Sequence, residues 1–159
     1  MYGISFSVYA KRSLNNIHSK MPEDILGQIY ILKRSEHFDA YMKELGVGLT
    51  LRKMGNTVIP QCVLEKNDDD IYTFNLRTPY HSYCINFELG KEFTEVTLDN
   101  RVVKTICHLD NNVFIQDQSA DGLKSTKIVR EFLEDELITT LSVGDVKAVR
   151  VYGVLEETG

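Results

Sequence analysis

The segment "VKAVRVYG" (146–153) alternates, with Val149 and Val151 at one parity and Arg150 and Tyr152 at the other. Successive side chains of a β-strand point to opposite faces, so one of these pairs lies inside. Taken alone, the stretch favours the valines, because arginine is rarely buried without a partner. Two other segments point the opposite way. In "TKIVREFLED", Ile128, Arg130 and Phe132 share a parity, and the other carries Lys127, Val129 and Glu131. Arg130 therefore sits among apolar neighbours. In "NVFIQDQSA", Phe114, Gln116 and Gln118 share one face while Val113, Ile115 and Asp117 share the other. Polar and apolar groups at a common parity suit the lining of a ligand cavity. In a solid core each such polar group needs a protein partner or costs roughly 1–3 kcal/mol. A surface arginine on a strand edge is the competing reading for Arg130.

Between these runs, turn formers recur at short intervals. They are "NDDD" at 67–70, Gly90, "DN" at 99–100, "DNN" at 110–112, "ADG" at 120–122, "EDE" at 134–136 and "VGD" at 143–145. Pro79 interrupts another run. Such spacing between β-branched and aromatic stretches predicts an antiparallel barrel or sandwich made of hairpins. One region departs from it. In "SEHFDAYMKELGVGLTLRKMGN", Phe38, Tyr41, Met42 and Leu45 fall at i, i+3, i+4 and i+7, one face of a short helix. Ser35 is the expected N-cap and Gly46 the expected stop. A second helical stretch is expected from Val47 to Met54, ahead of Gly55-Asn56. The pattern predicts a strand, two short helices and roughly nine further strands. Helices too short to cover a sheet face fit a lid over one barrel mouth, and barrels of sufficient size hold a ligand.

Composition narrows the function classes. The 159 residues suit one domain with a proper core, and a net charge of −5 makes nucleic acid an improbable partner. No apolar run reaches the roughly 18 residues of a membrane span. Cys62, Cys84 and Cys107 are odd in number, far apart and without a CxxC pair, which fits free thiols in a reducing cytosol. No histidine or cysteine spacing suggests a metal, and no cofactor is expected. Residues 1–20 contain Lys11, Arg12 and Lys20 but no acid. They read as a flexible basic leader ahead of Met21, with a fainter suggestion of an organelle presequence.

Should Arg130, Arg150 and Tyr152 all point inward, they make a receptor for an anion with a long apolar body. Two guanidiniums and a phenol supply donors that a carboxylate matches. No acidic residue on the adjacent strand faces stands out as an internal partner for both arginines. No nucleophile–base pair accompanies them, so the chemistry is holding rather than turnover, and no enzyme is expected.

These residues carry a resemblance. "SEHFDAYMKELGVGLTLRKMGN", "YHSYCINFELGKEFTEVTLDNRVVKTICHLDNN", "TKIVREF" and "VGDVKAVRVY" resemble the intracellular fatty-acid-binding proteins, a lipid-binding family that includes the cellular retinoid-binding proteins. The likeness runs from about residue 25 to about 155. It implies an all-β fold: a ten-stranded antiparallel up-and-down barrel of the lipocalin-like (calycin) type, capped by two short α-helices. Residues 21–159 would form this domain behind the leader of residues 1–20. It also implies that Arg130, Arg150 and Tyr152 bind a carboxylate. Phe38 and Met42 on the first lid helix match cavity-lining positions, as do Pro60, Thr78, Leu98, Asp99, Gln118 and Leu141. Tyr80 stands where the family usually has a portal phenylalanine, and His81 replaces the lysine that commonly follows. In "GQIY", Gln28 occupies the usual glycine slot and Tyr30 the aromatic one. Ala120 stands in place of a frequent tryptophan.

The resemblance implies a cytoplasmic, monomeric carrier of a long-chain fatty acid, with transient membrane contact through the helical lid. Lys43, Arg52 and Lys53 are the candidate basic patch for that contact, against the plainer reading of a solvated helix face. A retinoic-acid carrier is the nearest alternative. A barrel that works mainly as a protein-docking module is the alternative from another class.

Overall fold

The computed structural model describes residues 22–156. Ten strands follow in order: β1 (Tyr30–Glu36), β2 (Gln61–Lys66), β3 (Tyr72–Arg77), β4 (Ser82–Phe87), β5 (Phe93–Val96), β6 (Val102–Asp110), β7 (Val113–Ser119), β8 (Thr126–Phe132), β9 (Glu136–Val143) and β10 (Val146–Val154). Every pairing is antiparallel, in the order β4-β3-β2-β1-β10-β9-β8-β7-β6-β5. The sheet therefore curls into a nearly closed barrel in which, among the described residues, β4 and β5 are the only strands adjacent in sequence that do not pair. Each turn signal read from the sequence falls between two strands or overlaps the end of one. Asn100 and Asn111 take positive φ at two of these turns, where an asparagine tolerates the left-handed region.

Among the described residues three helices are present where the sequence pattern gave two. The additional one, α1 (Pro22–Ile25), is a single turn that places wholly buried Ile25 in the core beside Tyr30 and Leu64. The expected lid pair is α2 (Phe38–Glu44) and α3 (Leu49–Thr57). Their bounds differ from expectation for identifiable reasons. Ser35 is no N-cap, because the β1–β10 ladder continues through Ser35↔Arg150 to Glu36↔Val149. The chain turns instead at His37, in the left-handed region with φ 58. Gly46 does end α2: at φ 84 it lets its N–H reach the Lys43 carbonyl and that of Val47 reach Met42. Gly55-Asn56 does not end α3. A Cβ on Gly55 would lie 2.9 Å from the Met42 sulfur, so glycine serves close approach of the two lid helices.

Two buried clusters divide the interior. The larger is built on Tyr30, Leu64, Phe74, Phe114, Phe132 and Leu137, with aromatic pairs such as Phe87–Phe114 stacked at 5.4 Å. Tyr30, at the aromatic slot of "GQIY", packs edge-on against Phe132 at 5.6 Å. The smaller joins Tyr41 and Met42 of α2 to Val143 and Ala148 of the β9–β10 hairpin, and so seats the lid. An Arg52–Asp39 ion pair of 3.1 Å and an Asn56–Asp39 hydrogen bond of 3.0 Å tie α3 to α2. A Lys124–Glu44 pair ties α2 to the β7–β8 turn. Among the described residues, no helix is long and apolar enough to cross a membrane. The leader expected over residues 1–20 lies outside the described residues.

Candidate functional site

The alternation along residues 146–153 resolves with Arg150 and Tyr152 inward. Tyr152 belongs to the large interior cluster, and both Arg130 and Arg150 are buried. The opposite parity is not simply wet, however: Val151 is wholly buried and Val149 half-buried. Register explains why the two arginines are neighbours. Thr139 on β9 pairs with Arg150 on one side and Arg130 on the other, so both guanidiniums rise from one row of the sheet.

They line a cavity of about 250 Å³ beneath the lid. Of the residues named from sequence, Arg130, Arg150 and Tyr152 border it from the wall, with Gln118 and Leu141. Phe38 and Met42 close it from α2, and Pro60, Thr78, Leu98 and Asp99 border it from the strand ends and turns. Tyr80 does not line it. The residue is 68% exposed on the β3–β4 turn, where Thr78 binds the turn backbone and His81 takes the lining position.

The two arginines are held differently. Arg130 donates through Nη1 to Gln116 Oε1 at 2.9 Å and stacks on Phe74 with its guanidinium carbon 4.0 Å from the ring centre. Arg150 lies 3.8 Å from the centre of the Phe38 ring, a cation–π contact directly under the lid. Its Nε is buried without a hydrogen-bond partner. Among the described residues no carboxylate pairs with Arg150. Burial pulls its proton affinity below the ordinary arginine value, and the nearby Tyr152 pulls the other way. Burial likewise pushes the Tyr152 phenol up to about 12, so it remains a neutral donor at physiological pH.

The remaining polar lining is organised around Glu95 on β5. This residue is 3% exposed, and its carboxylate accepts from Tyr83, from Thr105 at 2.5 Å, from Gln118 at 2.9 Å and from Gln116 at 3.0 and 3.2 Å. Tyr83 lies on β4, so this contact spans the unpaired β4–β5 seam with side chains. At the mouth, Asp99 accepts from Arg101 Nε at 2.7 Å and from Thr97 at 2.7 Å. Burial raises the Asp99 carboxyl, but the Arg101 and Thr97 hydrogen bonds outweigh it and hold it below its ordinary value. No group of three or more histidine, cysteine or acidic side chains placed to hold a metal occurs among the described residues.

Across this fold, the sequence profile of the lipocalin / cytosolic fatty-acid binding protein family matches residues 28–154. The chain belongs to this family. It is similar to a fatty-acid-binding protein from brain tissue of Drosophila melanogaster at 50% identity and a TM-score of 0.77, covering 81% of this chain and 98% of that one. A Schistosoma mansoni fatty acid binding protein solved in complex with arachidonic acid aligns at 36% identity and a TM-score of 0.78, over 83% and 96% of the two chains. Among curated proteins, sodium/calcium exchanger regulatory protein 1 of Doryteuthis pealeii is 39% identical, over 83% of this chain and 97% of that one.

Sequence reasoning missed Glu95, Tyr83 and Arg101 as interior groups of this family member. The signal for Glu95 was present. In "FTEVTLDN", Phe93, Glu95 and Thr97 share a parity opposite Thr94 and Val96, and the structure buries Glu95 and Thr97 while Val96 stays exposed. The inversion seen at Arg150 thus recurs across the barrel.

Proposed function

We propose that this protein is a cytoplasmic carrier that reversibly binds one long-chain fatty acid inside the barrel. The carboxylate is received by Arg150 and Tyr152, with Arg130 beside them. The observation that carries this reading is a buried arginine with an unmatched donor and no counter-carboxylate, set in an otherwise largely apolar cavity under a helical lid. The relatives described as fatty-acid-binding proteins support the same ligand class. Burying each methylene contributes roughly 0.8 kcal/mol, so a tail of about fifteen carbons contributes on the order of 12 kcal/mol gross. Association and ordering remove several kcal/mol of this. Charge-assisted hydrogen bonds at the head add about 1.5–3 kcal/mol each before desolvation. The tail therefore dominates affinity, and the head contacts fix orientation and headgroup choice. No step of covalent chemistry is part of this role.

Entry requires α2, α3 and the β3–β4 turn to part. Exposed Lys43 and Lys53 are the charges available for transient contact with an anionic membrane surface. Arg52 is not, since it spans to Asp39 and to the Val47 carbonyl at 2.8 Å.

The test is displacement of a fluorescent fatty acid from delipidated protein by a fatty acid, the matching fatty alcohol and retinoic acid. Saturable fatty-acid binding near micromolar concentration is expected, with Arg150→Ala weakening the acid strongly and the alcohol little. Equal losses for both would remove the headgroup role. Tighter binding of retinoic acid would replace the ligand class, and no saturable binding would end the carrier reading.

A further inference from the structure

The charged side chains that line the cavity are Arg101, Arg130, Arg150, Glu95 and Asp99. Arg101 and Asp99 form a direct ion pair at the mouth. Arg130 and Glu95 do not touch, but Gln116 joins them. Its Oε1 accepts from Arg130, which turns its amide NH2 toward Glu95, where one N–H reaches the Tyr83 hydroxyl and the other is shared between the two carboxylate oxygens. Each hydrogen bond along this chain runs in one direction, from the cation toward the anion.

Geometry also fixes the form of Glu95. Both oxygens accept: Oε1 from Tyr83, Gln116 and Gln118, and Oε2 from Thr105 and Gln116. Gln116 occupies the acceptor side of the Tyr83 hydroxyl at 2.9 Å, so that hydroxyl gives its proton to Glu95. An acceptor with so many donors around it is an ionised carboxylate. Two acids thus balance two of the three arginines, and one positive charge is left. It belongs to Arg150, whose neighbours are the Phe38 face and a neutral phenol.

Resting on the carrier reading above, we propose that Glu95 is a specificity-determining residue. Through Gln116 it cancels Arg130, leaves Arg150 as the single uncompensated charge, and so restricts the headgroup to a monoanion. A carboxylate fills that vacancy in the charge balance. A dianionic head, such as an alkyl phosphate, is held off by the Glu95 carboxylate across the same cavity.

The test measures displacement of a fluorescent fatty acid by palmitic acid, hexadecanol and hexadecyl phosphate at mildly alkaline pH, where the phosphate is a dianion. Each affinity is normalised to that of hexadecanol in the same variant, and thermal unfolding verifies folding. Glu95→Gln is expected to improve the phosphate relative to palmitic acid by about tenfold, the scale of one unit charge within a shared cavity. Arg130→Met is expected to weaken palmitic acid, and adding Glu95→Gln to recover about tenfold of that loss. Glu95→Gln is expected to give Arg150→Met a recovery as well, because it frees Arg130 as the one uncompensated charge of the cavity. Glu95→Ser replaces Glu95→Gln throughout should the latter not fold. An unchanged phosphate-to-carboxylate ratio, or recovery of neither arginine variant, would overturn the proposal while leaving the carrier reading intact. Absence of palmitic acid binding by the wild-type protein would overturn both.

Discussion

Replacing Arg150 by methionine should make the ligand-free protein more stable and the ligand-bound protein less so. Arg150 holds a buried guanidinium whose Nε finds no partner, and burial already disfavours its charged form. Leaving a buried donor unsatisfied costs about 1–3 kcal/mol. The contact with Phe38 at 3.8 Å returns about 0.5–2 kcal/mol of this. Methionine keeps the length and flexibility of the stem, fills the space beneath Phe38 and carries no donor to satisfy. The balance favours the variant by roughly 1 kcal/mol, which for a domain of this size raises Tm by about 2–6 °C. Delipidated wild-type and variant proteins are compared by calorimetry, first alone and then with saturating fatty acid. Alone, the variant should melt higher. With fatty acid, the wild type should overtake it, because stabilisation by a ligand grows with the logarithm of its concentration over Kd. A fatty alcohol should raise both proteins by similar amounts. The reasoning fails if the ligand-free variant melts below the wild type. In that case Arg150 contributes to the fold itself, and the vacant donor is not a site kept open for a ligand.

Other outcomes follow from the same groups. Exposed Cys84 should react with a thiol reagent within minutes, while Cys62 and Cys107 react only in denaturant, since burial pushes both thiols up to about 12. Mass spectrometry of the labelled native protein should find one adduct, and rapid labelling of two or three sites would refute this. Burial also lifts the phenols of Tyr30, Tyr41 and Tyr152 from 10.0 to about 12. A raised folded-state value means that stability from these groups is complete below the unfolded value and is lost as pH rises through the folded one. The urea midpoint should therefore fall from about pH 9, where unfolded thiols begin to ionise, toward pH 12, and less steeply in Tyr152→Phe. At the lid, neutralising Lys43 and Lys53 should slow fatty-acid transfer to anionic vesicles, whereas Arg52→Gln should speed dissociation into buffer by loosening α3 from α2. Stopped-flow fluorescence separates the two effects, and equal behaviour of the lysine and Arg52 variants would dismiss the distinction.

The strand plan was legible because its signals are local. Turn formers fix where hairpins reverse, and the Phe38–Leu45 spacing fixes a helix face, whatever the rest of the chain does. Helix ends were less legible because they depend on partners distant in sequence. Pairing with β10 drew Ser35 into β1, and packing against Met42 carried Gly55 inside α3. The site was half legible. Arg130 betrayed itself by sitting at the parity of apolar neighbours, since a polar group there must be partnered or functional. The stretch around Arg150 favoured its valines, and only the family resemblance turned that arginine inward. Glu95 sits at the same inward parity, but its neighbours Phe93 and Thr97 did not mark that face as interior, and the exposed Val96 imitated a core residue. Its partners lie on β4, β6 and β7, which only closure of the barrel brings together. A buried carboxylate whose every donor comes from another strand shows its parity locally but not its partners. For the same reason the alternation rule misleads most at a ligand cavity, where the inner face is chosen to suit a molecule that the sequence does not contain.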